Sequence, residues 1–286
     1  MTRKPVAAIA VIGGSGLYAM QELKVVREIK VKTPFGDPSD SVILGALSGV
    51  PVVFLPRHGR KHSVLPGEIN HRANMWAFKS MGVKAIISVS AVGSLKAGLA
   101  PTHFVFPDQF MDETRGRVST FFGGGIVGHV PLAEPFCMAL SKMMYKEAVK
   151  LGIKSHFGGT YVCMEGPGFS TKAESGFHRK MGFSIIGMTV ATEAKLAREA
   201  GFHYSPISLV TDYDCWKEGE EVDQEKVTAI LGKNIANVKR LLVKVIPAAG
   251  KAGCHNHCPE FIKTSVLTHK KNFPPKLYQA LKPLIR

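Results

Sequence analysis

The chain has 286 residues, 45% hydrophobic, 8% aromatic and 21% charged, with a formal net charge of +15. These proportions suit a soluble globular protein with one large core, of a size at which a single α/β domain is common. No stretch approaches the roughly 18 uninterrupted apolar residues of a membrane span, which argues against a membrane partner; no zinc-finger, helix-turn-helix or RNA-binding aromatic pattern accompanies the charge, which argues against nucleic acid.

Arg3 and Lys4 ahead of the apolar run 6–12 imitate a signal peptide, but the run ends in Gly13-Gly14-Ser15-Gly16 with no small-x-small cleavage site. It reads as a buried first strand of a cytoplasmic protein. Residues 25–31 alternate as a strand, and 42–47 and 52–55 flank Ser48-Gly49, a hairpin signal. Residues 70–81 have helical composition and stop at Gly82. The run 85–89 leads into Ser90-Ala91-Val92-Gly93-Ser94, a small hydroxyl-bearing loop. A helix is expected over 135–151, with Pro135 early and Gly152 just past its end. Strand-like runs 161–164, 184–188 and 207–210 each lead into a polar or helical segment, with a helix at about 192–200. The last strong helix, about 225–246, carries Val227, Ile230, Leu231, Val238, Leu241, Leu242 and Val245 at helical spacing. Residues 247–259 read as a linker to a basic appendage, which has seven Lys/Arg against one acid, Glu260. The alternation predicts one α/β domain with a buried central sheet, and ligands at the carboxyl ends of its strands.

Four polar segments follow strands. Gly14-Ser15-Gly16-Leu17-Tyr18-Ala19 fits a loose dinucleotide pattern but lacks the helix and distal acid that pattern needs; it can be a tight turn, or an oxyanion loop of backbone amides and the Ser15 hydroxyl. Arg57, His58, Arg60, Lys61 and His62 crowd one loop, either an exposed basic surface or a fork for phosphate. Ser90-Ala91-Val92-Gly93-Ser94 repeats the hydroxyl-and-glycine theme. Thr211-Asp212-Tyr213-Asp214 places two carboxylates two residues apart, on one side if the strand stays extended. That is an Asx-type turn, or a base-edge pair with one carboxyl protonated and one ionised. Cys254-His255-Asn256-His257-Cys258 cannot easily wrap a tetrahedron by itself, so no metal is expected. A disulfide within the tail, or from the tail to Cys137, Cys163 or Cys215, or a plain flexible tail, fits better.

Gly13-Gly14-Ser15-Gly16-Leu17, residues 33–40, Arg57-His58-Gly59-Arg60, Glu165-Gly166-Pro167, Phe169-Ser170 and the run 211–216 together resemble the methylthioadenosine phosphorylase branch of the trimeric purine nucleoside phosphorylases, over roughly residues 6–246. The resemblance implies a single-domain purine nucleoside phosphorylase-like α/β fold, a central mixed, twisted sheet flanked by helices over 1–250, with 251–286 outside the part that matches. It implies phosphate contacts from Ser15, Arg57, His58 and Ser90, a purine wall at Phe169, and sugar contacts at Met188 and Thr189. Asp212 matches the group at purine N7 and Asp214 the group at the 6-amino; Ala91 and Ser170 join the substrate contacts. His62 and His129 match positions near the 5' substituent, His129 from a neighbouring subunit, and Val227 the methylthio pocket. The implied reaction is phosphorolysis of S-methyl-5'-thioadenosine in a trimer or dimer of trimers, with inorganic phosphate as co-substrate and no cofactor. The alternatives are a broad or 6-oxopurine nucleoside phosphorylase, against which Ser170 and Asp212 argue, and a non-catalytic nucleotide- or nucleic-acid-binding protein, which rests on charge alone.

Overall fold

The computed structural model describes residues 6–17, 20–219, 224–249 and 258–285. Its strands are β1 (Ile9–Gly13), β2 (Leu23–Ile29), β3 (Val42–Leu47), β4 (Val50–Pro56), β5 (Ala85–Ser94), β6 (Phe104–Phe106), β7 (Gln109–Asp112), β8 (Ser155–Phe157), β9 (Thr160–Cys163), β10 (Ile185–Gly187) and β11 (His203–Asp212). The helices are α1 (His71–Ser80), α2 (Met138–Lys150), α3 (Lys172–Lys180), α4 (Val190–Glu199), α5 (Gln224–Ala249), α6 (Phe261–Ser265) and α7 (Pro275–Leu281).

All eleven strands belong to one mixed sheet, as the sequence led one to expect. β1 lies between β4 and β5, parallel to both. β2, β3 and β4 form an antiparallel edge. The β3–β4 turn falls at Ser48-Gly49 with φ of 50° and 78°, the doubly left-handed geometry that keeps a two-residue hairpin in step with strand twist. Past β5 the sheet forks. β11 runs parallel along most of β5 and leads to β6 and β8, while the end of β5 pairs antiparallel with β10, which leads to β9 and β7.

Successive residues of β1 point into opposite layers. Ala10 and Ile12 join a core with Phe78 of α1 and Leu196 of α4. Ile9 and Val11 join another with Met144 of α2 and Leu242 of α5. A strand buried on both faces needs an unbroken apolar run, which β1 has.

Expected and observed elements differ at several points; α2, for one, begins at Met138 and leaves Pro135 outside it. Residues 90–94 are not a loop but the end of β5. Ser90, Ala91 and Val92 pair with β11, and Gly93 and Ser94 with β10, so tertiary pairing overrides a turn-like composition. α5 does not stop before Pro247; it carries that proline and ends at Ala249. Residues 258–285, expected as an appendage, pack against the body. Phe273, Leu281 and Leu284 are buried in the same cluster as Phe78 and Ala197, and Trp76 Nε1–H donates to the Ala280 carbonyl at 2.8 Å. These apolar residues cover the α1/α4 layer, while Lys263, Lys270, Lys271 and Lys276 are exposed.

Candidate active site

A cavity of about 620 Å³ opens at the carboxyl ends of β1, β4, β5, β10 and β11, where ligands of α/β sheets collect. It gathers most of the residues singled out above: Arg57, His58, His62, Ser90, Ala91, Phe169, Met188, Thr189, Asp212, Asp214 and Val227. Gly14, Gly16 and Leu17 of the first loop also line it; the Ser15 side chain, Tyr18 and Ala19 lie outside the described residues.

Arg57 follows β4 and is 2% exposed. The fork expected for phosphate is largely engaged by the protein. Nε and Nη2 donate to the two carboxylate oxygens of Glu193 at 2.5 and 3.2 Å. Nη1 donates to the Val89 carbonyl, and Nη2 also reaches Ser88 Oγ and the Ile12 carbonyl. Of the five guanidinium N–H groups, one on Nη1 is left to serve a ligand. Burial would push Glu193 toward its neutral form, but the Arg57 charge and its hydrogen bonds outweigh that and hold the carboxyl below its ordinary range. Ser88 Oγ and the Tyr204 hydroxyl donate to the same carboxylate, each at 2.8 Å. Glu193, a core-facing acid on α4 far along the chain, gave no local sequence signal.

The rest of the basic loop divides. Arg60 turns outward to Glu28 and Asp40 at 2.9 and 3.0 Å. His58 faces the cavity, with Nδ1–H donating to the Val64 carbonyl at 2.8 Å. Burial, then the nearby Arg57 charge, lower its pKa to about 4, so near neutral pH its Nε2 carries a lone pair. The His62 ring stacks on it at 4.9 Å.

Two hydroxyls, Ser90 Oγ and Thr189 Oγ1, are buried beside this end without a hydrogen-bond partner among the described residues. Thr189 is the N-cap of α4, yet its side chain makes no capping bond. The hydroxyl is therefore available at the positive end of the helix dipole. The sequence resemblance placed Thr189 beside the sugar; its position at a helix N-terminus, across Tyr161 from Ser90, suits an anion as well.

The opposite end is acidic. A bulge between Val210 and Asp212 interrupts the β5–β11 register, the device that re-aims a strand side chain. Asp212 Oδ2 accepts from Thr211 Oγ1 at 2.7 Å, and Oδ1 from the Asp214 amide at 2.8 Å. Extended geometry does not persist to Asp214, which takes φ of 54°. The Asx-type turn and the carboxylate pair are thus one structure, since Asp tolerates the left-handed region and bonds its own turn. Burial raises the Asp212 pKa above its ordinary value, and the Asp214 charge adds to the rise. Asp214 is 5% exposed, and its Oδ2 has no hydrogen-bond partner among the described residues. Gly93 makes room for the pair: a Cβ there would lie 3.0 Å from Asp212 Oδ1 and 3.3 Å from Asp214 Cβ. Trp216 Nε1–H donates to the Ser94 carbonyl at 2.7 Å and pins the turn to β5.

The apolar wall comes from α5. Val227, Leu231 and Ile235, four residues apart and so on one helix face, line the cavity. Asn234 Nδ2 donates to the Val210 carbonyl at 2.9 Å and fixes that face over β11. Leu231 is legible in sequence only as helical spacing, and Ile235 is not singled out there at all. Two expected residues lie elsewhere. Ser170 lines an adjoining hollow of about 640 Å³ with Glu113, Arg115, Glu174 and His178. His129 is exposed, its amide donating to the Ser265 carbonyl at 2.9 Å, and it does not line its own chain's cavity.

The phosphorylase superfamily profile matches residues 8–247. The S-methyl-5'-thioadenosine phosphorylase of Geobacter sulfurreducens is 47% identical over 281 residues, 97% of each chain. That of Koribacter versatilis is 49% identical over 98% of this chain and 96% of its own. Such coverage is too large to leave out residues 251–286, so the tail is shared with these relatives rather than foreign to them. Among solved structures, a methylthioadenosine phosphorylase from an antarctic soil metagenomic library superposes with a TM-score of 0.94 at 42% identity, covering 99% of this chain and 100% of that one. Methylthioadenosine phosphorylase from Schistosoma mansoni in complex with adenine gives 0.86 at 36% identity, covering 91% and 98%.

Proposed function

The chain belongs to the phosphorylase superfamily, and on that premise we propose that it cleaves S-methyl-5'-thioadenosine with inorganic phosphate, giving adenine and 5-methylthioribose 1-phosphate for purine salvage. One observation carries the assignment of groups within the site. A single cavity has buried hydroxyls and a helix N-terminus at one end, and at the other a carboxyl of raised pKa beside a buried carboxylate oxygen without a protein donor.

Phosphate lies against Ser90, Thr189 and the remaining N–H of Arg57, with its own O–H turned to the His58 Nε2 lone pair and the Ser15 loop supporting it. Its oxygen attacks C1' as the bond from C1' to N9 breaks. The sugar passes through an oxocarbenium-like state that the adjacent anion stabilises. Negative charge gathers on the departing purine, and Asp212, whose carboxyl burial pushes toward its protonated form, gives a proton to N7. Such general-acid steps contribute about 10²–10⁴-fold. Asp214 accepts from the 6-amino group, Phe169 stacks on the base, and Met188 and Ala91 contact the sugar. The methylthio group meets Val227, Leu231 and Ile235, with His62 near the 5' carbon. Phosphate is co-substrate, and the chemistry calls for no further cofactor.

The active species is a cytoplasmic homo-oligomer, a trimer or a dimer of trimers. His129, exposed and outside its own cavity, completes a neighbour's site at the 5' end, and Ser170 orders the loop beneath Phe169. No described helix is long and apolar enough to cross a membrane. An absorbance assay tests the reaction. Adenine release from S-methyl-5'-thioadenosine is expected to require phosphate, and equal release in phosphate-free buffer makes the protein a hydrolase instead.

A further inference from the structure

At the end of β11 away from the cavity, three soft donors converge. Cys137, His203 and Cys258 each offer a ligand atom, and these atoms lie within 4.8 Å of one another. They come from three separate pieces of chain. Cys137 is the N-cap of α2, His203 is the first residue of β11, and Cys258 opens the described part of the tail. Both sulfurs belong to residues 2% exposed, and His203 is half-buried. The backbone holds the cluster in place. The Cys137 amide donates to the Tyr204 carbonyl at 2.8 Å, and the His203 amide to the Lys84 carbonyl at 2.9 Å. Beside it Pro259 runs so close to Gly201 that a Cβ there would lie 3.2 Å from the proline Cα.

We propose that Cys137, His203 and Cys258 bind one thiophilic divalent cation, zinc in the cell, which clasps the C-terminal tail to the body of the protein. The geometry is close to what zinc asks. Zn–S of about 2.3 Å and Zn–N of about 2.0–2.1 Å put tetrahedral sulfur and nitrogen roughly 3.5 Å apart. Cys137 Sγ and His203 Nδ1 stand 3.8 Å apart, so only a small closure is needed. Charge also balances. Two thiolates and a neutral imidazole cancel the dication, leaving a buried site without net charge. A water completes four-coordination, as in other three-ligand zinc sites. On binding, each thiol gives up its proton to solvent, so uptake of one Zn²⁺ releases two protons.

A disulfide between the two sulfurs is the competing arrangement. It would draw them to about 2.05 Å and leave His203 no part. The described cysteines are all thiols. The spacing within residues 254–258, of which the first four lie outside the described residues, holds only one of the three donors. Two donors from the body could not be seen that way. The clasp has a purpose in the fold, because Cys258 sits in the α2/α5 core while Phe273 and Leu281, further along the tail, sit in the α1/α4 core. It fixes the chain where it passes from one layer to the other.

The test uses the full chain, made without a metal-affinity step and dialysed against Zn²⁺. Elemental analysis is expected to find about one zinc per chain, and Co²⁺ loading to show a thiolate-to-cobalt charge-transfer band. Cys258→Ser and His203→Ala should each remove most of the metal and the band. His203→Ala guards against misfolding of the more buried cysteine variant. Chelator should lower Tm by several degrees, while reductant leaves it unchanged. The site lies about 30 Å along β11 from Asp212, so KM should not move. Metal-free protein whose Tm falls with reductant, and whose mass is two hydrogens short, makes the pair a disulfide and overturns the proposal. Zinc that stays bound in both variants overturns it too.

Discussion

At one end of the cavity Arg57 brings a cation whose charge the fold balances with Glu193 before a ligand arrives; at the other, Asp214 holds a buried carboxylate oxygen without a protein donor. The first end is a finished scaffold that offers two hydroxyls and one guanidinium N–H. The second is an unfinished hydrogen-bond set that a ligand must complete. The difference teaches where each group's influence will be felt. Groups at the phosphate end should matter strongly for stability, and groups at the base end should matter for rate and selectivity and little for folding.

The largest effect is expected at Asp212. If Asp212 donates to N7 as proposed, Asp212→Asn removes that donor but preserves shape, so kcat for S-methyl-5'-thioadenosine should fall by about 10²–10⁴-fold, with the urea midpoint nearly unchanged. A large loss of stability with little loss of rate would reverse the assignment of the two ends. Glu193→Ala should do the opposite. It leaves Arg57 buried without its anion and should cost about 3–5 kcal/mol, read from urea unfolding. A cost near zero would mean that Arg57 is not held as described.

Acid should reveal the scaffold next. His58 and His71 are both pushed from the ordinary 6.5 to about 4, chiefly by burial. The folded state therefore resists protons that the unfolded chain accepts. The neutral rings favour the folded state in full above about pH 6.5, and that advantage is lost as pH falls toward about 4. Two such groups allow a slope of up to about 2.7 kcal/mol per pH unit. His71→Asn should flatten the acid limb of a Tm–pH profile without shifting the alkaline limb, and an unchanged acid limb would exclude His71 as a contributor. The smallest effect should be at Asp214. Asp214→Asn can donate to a 6-oxo group, so the preference for adenosine over inosine should narrow by about tenfold, read as a ratio of kcat/KM. Widening of that ratio would place the base the other way round.

Much of this was legible because strands and the loops that follow them are local. β1 with its Gly13–Gly16 loop, the Ser48-Gly49 hairpin and the run into Asp212 could all be read from short windows. What could not be read depends on partners far along the chain. The Ser90–Ser94 segment has turn-like composition and becomes strand because β10 and β11 flank it. Arg57 looked like a free phosphate fork because Glu193, 136 residues away, could not be paired with it in sequence. The tail read as an appendage because its basic residues dominate its composition, while the few apolar ones that bury against Phe78 and Ala197 determine its place. The carboxylate pair was found for a partly mistaken reason, since a bulge and a left-handed Asp214 bring it together rather than an extended strand.

The central claim is that one cavity joins an anion end to a base end for a single displacement at C1'. Phosphorus NMR of a reaction with limiting S-methyl-5'-thioadenosine tests it most directly. The account predicts that inorganic phosphate is converted to a sugar 1-phosphate monoester mole for mole with the adenine released. Adenine appearing while the phosphate signal stays intact would contradict it.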